Sequence, residues 1–256
     1  GEISGTIDEF IRHAVSKMSH IHLVANDDAK KRLLQLGENI NSIFVIGSPD
    51  LDLMNPEHLP SISDAKKHYD ITFNKYAVAM FHPVTTEYDS ISSYAKNFVN
   101  ALIKSQYNYI VIYPNNDLGS NEILAEYKSL VDCPNFKIFP SLRFEYFLVL
   151  LKNAEFIIGN SSAGIREAPD YDVPTIDIGS RQLNRASVSL ESIFTCSYQC
   201  DDICQTINKV QNYHKNSYTM MGHYFGNGQS DKLFLALLES GKIWEINYQK
   251  QFKELI

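Results

Sequence analysis

The chain has 256 residues, 44% of them apolar, and a formal charge of −7. That length buries one large core or two moderate ones, and the acidic balance, with no lysine- or arginine-rich block, argues against a nucleic-acid or membrane-surface protein, whose partners need a basic face. No apolar run reaches membrane-spanning length and no charged-then-apolar leader opens the chain, so a soluble cytoplasmic protein is expected.

Apolar periodicity predicts strands alternating with helices, the pattern of a parallel sheet with crossover helices. A helix is predicted over 7–19, with Asp8 and Glu9 in its first turn and Lys17 near its end, as the helix dipole favours. A strand over 20–24 follows, then a helix capped by Asn26 or Asp27 that runs through Leu36 and stops at Gly37. The strand over 42–46 runs into the turn GSPDLD. Between 55 and 70 the chain is polar with prolines at 56 and 60, and it reads as a passage between two lobes. Beyond it, strands are predicted over 76–81, 109–112, 136–139, 156–158 and 173–178, with helices over 90–105, 119–131, 143–153 and 163–171 between them. A final helix over 231–239 leads into an aromatic-rich tail. The expected organisation is a partial first lobe over 1–50, a passage over 51–70, a complete second lobe over 71–240 and a tail over 241–256. Two strands and two helices are too few to cover a sheet on both faces. Gly1 is also not an initiator methionine, so the sequence is expected to begin inside the first lobe.

Of the four cysteines, Cys133 is isolated, while Cys196, Cys200 and Cys204 are spaced by four and would share one face of a helix. No fourth ligand accompanies them, so reduced structural thiols are expected and no metal site.

The most informative run is FIIGNSSAGIREAPDYDVPTIDIGSRQ at 156–182. It reads as strand, polar turn, helix, strand and then an arginine. Gly159 lets a ligand approach the backbone, and Asn160, Ser161 and Ser162 fall at a helix start, where hydroxyls and amides attract an anion. Glu167 lies one turn further on, placed to accept hydrogen bonds from sugar hydroxyls, and Arg181 follows the next strand. In an α/β sheet these positions fall at the carboxyl edge, where ligands bind. Taken alone, Ser161 and Ser162 also read as helix caps and Arg166 as a solvated helix residue. A nucleophilic serine is disfavoured, because GNSSAG does not match G-x-S-x-G.

This segment closely resembles the uridine-diphosphate pocket of the UDP-N-acetylglucosamine 2-epimerases, in particular the hydrolysing branch that makes N-acetylmannosamine for sialic-acid synthesis. GEISGTIDEFIRHAVSKMSHIH at 1–22 is similar to that branch's GTIDxxIRHAxxKLxHxH segment, and FHPVTTE at 81–87 and VIYPNNDLGS at 111–120 resemble two more of its loops. The resemblance runs in one order from the first residue to at least Arg185. It implies an α/β, glycosyltransferase-B-like architecture of two Rossmann-like parallel sheets with helices on both faces, the second lobe complete and the first partial.

The implied reaction is elimination of UDP across C1 and C2 of the sugar, followed by hydration of the resulting glycal. Elimination needs a base at C2 and anion-binding groups for the departing diphosphate. The resemblance carries over a catalytic carboxylate to Asp8, whose plainer reading is a first-turn helix acid. It assigns His82 to contact the diphosphate or assist its departure, and Asn115 to a nucleotide contact. Ser161 and Ser162 match phosphate contacts, Glu167 a ribose contact, Arg181 a contact of the same pocket and Leu142 a position beside the uracil. Arg12 and Arg185 are weaker candidates facing the cleft. Pro140 and Ser141 stand where some members carry basic groups linked to feedback inhibition, so that regulation is not carried over. No cofactor is implied, because elimination and readdition invert C2 without hydride transfer. The implied partner is a UDP-sugar, and family members commonly associate into homo-oligomers. Two other readings use the same pocket: a 2-epimerase of a UDP-diacetamido sugar, and a glycosyltransferase of the same architecture. The chain as given is expected to bind UDP and to turn over slowly.

Overall fold

Short β-branched and aromatic stretches, each followed by an amphipathic helix, set the architecture. The computed structural model describes residues 1–3, 8–55, 57, 59–183, 191–213 and 224–253. It divides into two compact units, Gly1–His58 with Met220–Ile256, and Leu59–Thr219.

The first unit opens with helix α1 (Asp8–Met18), strand β1 (His22–Val24), helix α2 (Asp27–Gln35), strand β2 (Ile43–Val45) and the short helix α3 (Pro49–Asp52). The Asn26 side chain caps α2 by accepting the Ala29 N–H at 2.8 Å. Strands β1 and β2 pair in parallel, with Leu23 opposite Phe44. Val24, Ala29, Leu33 and Ile43 form the small core beneath them. Glu38 is buried with His22, whose Nε2 lies 3.0 Å from its carboxylate, and Lys17 and Lys250 supply positive charge.

The second unit continues with helix α4 (Ile62–His68), then β3 (Ala77–Met80), α5 (Ile91–Ser105), β4 (Tyr109–Ile112), α6 (Ser120–Tyr127), β5 (Phe136–Phe139) and α7 (Phe144–Lys152). It closes with β6 (Ile157–Gly159), α8 (Ala163–Arg166), β7 (Thr175–Ile178), β8 (Ile193–Cys196) and α9 (Cys200–Val210). All six strands run parallel in the order β5-β4-β3-β6-β7-β8. Strands buried on both faces read as continuous apolar runs, and YIVI of β4 is buried throughout. Ala77, Ala79, Val111, Ile158 and Ile176 meet Phe98 and Leu102 of α5 and Ile203 and Ile207 of α9 in the main core. Back in the first unit, α10 (Ser230–Glu239) starts against Asp52, whose carboxylate accepts the Ser230 and Asp231 N–H groups, each at 3.0 Å, and the Ser230 hydroxyl at 2.6 Å.

Several expectations change. The stretch 51–70, expected as a passage, carries helix α4 and the last turn of α3. Residues 224–253 sort with the first unit rather than with the preceding sheet. The helix expected over 163–171 ends at Arg166, and a 3₁₀ turn, Pro169–Tyr171, follows. Pro169 lacks an N–H and its ring clashes with the preceding turn, so the α-helix cannot pass it. Strand β8 and helix α9 were not anticipated. They place Cys196 on a strand and Cys200 and Cys204 on the following helix, so the three do not share a helix face.

Candidate nucleotide site at the switch point

Strand order reverses between β3 and β6, and in open α/β sheets the crevice at the carboxyl ends beside such a point takes the ligand. Here the chain leaves β3 through Phe81 and His82 and leaves β6 through Asn160. Asn160 is 1% exposed and ties the two ends together. Its Oδ1 accepts the His82 N–H at 2.7 Å and its Nδ2 donates to the His82 carbonyl at 2.8 Å. The side chain thus supplies one further rung of main-chain pairing where the strands part. Gly159 before it has φ +136°, and a Cβ there would lie 1.9 Å from the Met80 carbonyl oxygen, so only glycine fits.

His82 is buried and its Nδ1 accepts the Asn115 N–H at 3.0 Å. That bond fixes the neutral tautomer with its proton on Nε2. Burial, reinforced by the charge of Arg181, pushes the His82 pKa down to about 3. The ring is therefore a neutral hydrogen-bond donor rather than an imidazolium. Asn115 itself is half-buried, its amide donating to Asp117.

The Asn160 carbonyl accepts Arg181 Nη1 at 3.2 Å and Gln182 Nε2 at 2.7 Å. These bonds bring the arginine after β7 to the edge formed by β3 and β6. Asp177, near the end of β7 and opposite Gly159, is also buried. Burial pushes its pKa up to about 7, with Arg181 pulling the other way. Ser161 Oγ accepts the Ala163 N–H at 3.3 Å, whereas Ser162 makes no side-chain cap to α8. Glu167 is the residue that ends α8 rather than one inside the helix, and it is buried. Gly164 permits the close approach of α8 to β7, since a Cβ there would meet Thr175 Cγ2 at 2.5 Å.

Of the predicted residues, His82, Asn115, Ser161, Ser162 and Arg181 thus fall at one sheet edge, while Glu167 is buried at the far end of α8. Leu142 is half-buried in the turn after β5, at the same carboxyl edge. Asp8 is exposed in the first turn of α1 in the other unit, and Arg12 donates from that helix to the Glu2 carbonyl at 3.3 Å. Arg185 lies outside the described residues. The bridging of Asn160, the Gln182 contact and the buried Asp177 were not anticipated, because each depends on strands adjacent in space and distant in sequence. Among the described residues no group of three or more His, Cys, Asp or Glu side chains is placed to hold a metal ion, and no helix is long and apolar enough to cross a membrane.

A six-stranded parallel sheet with this strand order, carrying an arginine, a neutral histidine and serines at its switch point, is a Rossmann-like lobe of the glycosyltransferase-B type. Its fold matches that of the Methanocaldococcus jannaschii UDP-GlcNAc 2-epimerase solved in complex with UDP-GlcNAc and UDP, with TM-score 0.70 and 22% identity over 87% of this chain and 62% of that one. The chain belongs to the UDP-N-acetylglucosamine 2-epimerase family, whose model matches residues 1–239. It is 45% identical over 258 aligned positions to the UDP-N-acetylglucosamine 2-epimerase of Neisseria meningitidis serogroup B, covering 100% of this chain and 67% of that protein. It is 30% identical over 241 positions to the hydrolysing UDP-N,N'-diacetylbacillosamine 2-epimerase of Legionella pneumophila, covering 94% of this chain and 63% of that protein. The chain therefore spans about two thirds of the length of these relatives.

Proposed function

We propose that the protein is a hydrolysing UDP-N-acetylglucosamine 2-epimerase and that the switch-point site holds the uridine diphosphate. The observation that carries this reading is the convergence at Asn160 of the Arg181 guanidinium, on its main-chain carbonyl, and the His82 main chain, on its side-chain amide. Loss of the C2 proton to a carboxylate base and cleavage of the bond from C1 to the diphosphate oxygen leave a glycal and UDP. Charge accumulates on the departing diphosphate, where a guanidinium and an imidazole N–H stabilise it most. Water then adds its oxygen to C1 and a proton returns to C2 from the opposite face, giving N-acetylmannosamine. Asp8 is assigned one of the carboxylate roles. Ser161 and Ser162 bind phosphate oxygens, Glu167 takes the ribose hydroxyls, Asn115 contacts the nucleotide and Leu142 lies beside the uracil. No redox cofactor takes part.

A second reading keeps the chemistry and changes the sugar to a UDP-diacetamido hexose, as the Legionella relative's name records for that protein. The higher identity to the meningococcal relative, 45% against 30%, favours N-acetylglucosamine. The test is incubation of the whole protein with UDP-N-acetylglucosamine in deuterated water without an acceptor. Release of UDP and of N-acetylmannosamine carrying deuterium at C2 is expected. Retention of the C2 hydrogen, or UDP release only when a sugar acceptor is added, overturns the reading in favour of another mechanism or of glycosyl transfer.

A further inference from the structure

Arg181 carries the positive charge of the site, and its placement depends on the turn that follows β7. Gly179 in that turn has φ +79°, and a Cβ there would fall 2.0 Å from Tyr198 Cζ, so the backbone runs directly against the tyrosine ring. Tyr198 is itself held. It stacks on Tyr94 of α5 with centroids 3.7 Å apart and planes 6° from parallel, and it meets Phe81 edge-on at 6.3 Å. Ser180, the neighbour of Arg181, donates its backbone N–H to the Tyr198 hydroxyl at 3.3 Å and its own hydroxyl to the Glu87 carboxylate. Glu87 belongs to the 3₁₀ segment Thr85–Ser90, which follows β3 and His82. One side chain on the β3 loop therefore reaches across β6 to the β7 turn, 93 residues away in sequence.

We propose that Glu87 is a positioning residue for Arg181, fixing the β7 turn through Ser180 so that the guanidinium meets the diphosphate. This rests on the reading of the switch-point edge as the uridine-diphosphate site. A hydroxyl donating to a carboxylate is among the stronger hydrogen bonds, and it removes a rotational freedom from the residue next to the arginine. Burial pushes the Tyr198 pKa up to about 12, so its hydroxyl stays protonated and the turn is gripped on both sides. Because Glu87 acts through Arg181, its loss affects phosphate recognition and leaves the nucleoside end of the ligand unaffected.

The test compares UDP titrated by calorimetry with uridine titrated by ligand-observed NMR, for the chain and for Glu87→Ala, Glu87→Gln and Ser180→Ala, with melting temperatures as a folding control. Glu87→Ala and Ser180→Ala are expected to weaken UDP about tenfold with uridine unchanged, and Glu87→Gln, which keeps an acceptor for Ser180, to recover most of the affinity. The double variant Glu87→Ala with Ser180→Ala is expected to bind UDP no more weakly than either single one, since both remove the same bond. Unchanged UDP binding in folded Glu87→Ala and Ser180→Ala overturns the assignment, as does an equal loss of uridine and UDP. If Glu87→Ala fails to fold, Ser180→Ala and Glu87→Gln decide by the same criteria. An unsubstituted chain that takes up no UDP overturns the underlying reading and the assignment with it.

Discussion

Replacing Asn160 with leucine removes the amide that joins β3 to β6 and keeps the branched heavy-atom outline of the side chain. Two main-chain groups of His82 lose their partners, an N–H at 2.7 Å and a carbonyl at 2.8 Å from the amide. Both lie beside a residue that is 1% exposed, so water does not replace the lost partner. Leaving a buried polar group unpaired costs about 1–3 kcal/mol, and two such groups put the destabilisation at roughly 2–6 kcal/mol. Asn160→Asp separates the two bonds. It keeps an acceptor for the N–H but sets a carboxylate oxygen against the His82 carbonyl, so its destabilisation should ease on acidification as the carboxyl gains a proton to donate. Urea denaturation followed by circular dichroism at pH 7.5 and pH 5 reads both variants, and UDP titration reports whether loss of the bridge reaches His82. The Arg181 and Gln182 bonds go to the Asn160 main-chain carbonyl and survive both substitutions. Any loss of UDP affinity therefore comes through the β3 end. A stability change under about 0.5 kcal/mol for Asn160→Leu sinks the argument that this amide substitutes for a rung of the sheet.

Three other outcomes follow from the same geometry. Asp177 has its pKa raised from 3.8 to about 7, so the folded state holds this proton more tightly and its stability falls as pH rises from about 4 through 7. Asp177→Asn should remove that dependence and raise stability at pH 8 by at most about 4 kcal/mol, whereas a melting temperature unchanged at pH 8 contradicts the burial argument. Asp52 is pushed up by burial but held below the usual carboxylate range by the Ser230 and Asp231 donors together, so the stability it contributes is present above about pH 4 and lost as pH falls. Asp52→Ala should cost about 1–2 kcal/mol at pH 7 and progressively less as the pH falls below about 4, and a loss that does not change with pH refutes it. Arg181→Ala should weaken UDP by about 2 kcal/mol, roughly thirtyfold, and calorimetry showing less than a threefold change removes Arg181 from the phosphate contacts.

Much of the second sheet is legible in the sequence, because its strands are continuous apolar runs and α5 carries a clear amphipathic period. Strand β8 escapes, since IFTC lacks alternation and is followed at once by the polar Ser197. The early end of α8 was signalled by Pro169, which the 163–171 helix passed over. At the site, single residues such as His82 and Arg181 are visible because a motif carries them. Their mutual geometry is not, since Asn160 meets His82 across 78 residues of sequence and Ser180 meets Glu87 across 93. Asp177 looks like any strand-end acid until the sheet places it between β6 and β8.

The clamp of Asp52 on the start of α10 joins positions 178 residues apart. The second unit is a single uninterrupted stretch of chain, whereas the first is assembled from both sides of it. On a ribosome the sheet that carries Arg181 can finish folding before α10 has been translated. Asp52 is made ahead of that sheet, yet its carboxylate waits for the Ser230 and Asp231 donors until the C-terminal segment emerges. Pulse-labelling during synthesis should therefore find the amides of the Leu59–Thr219 sheet protected before those of Ser230 and Asp231.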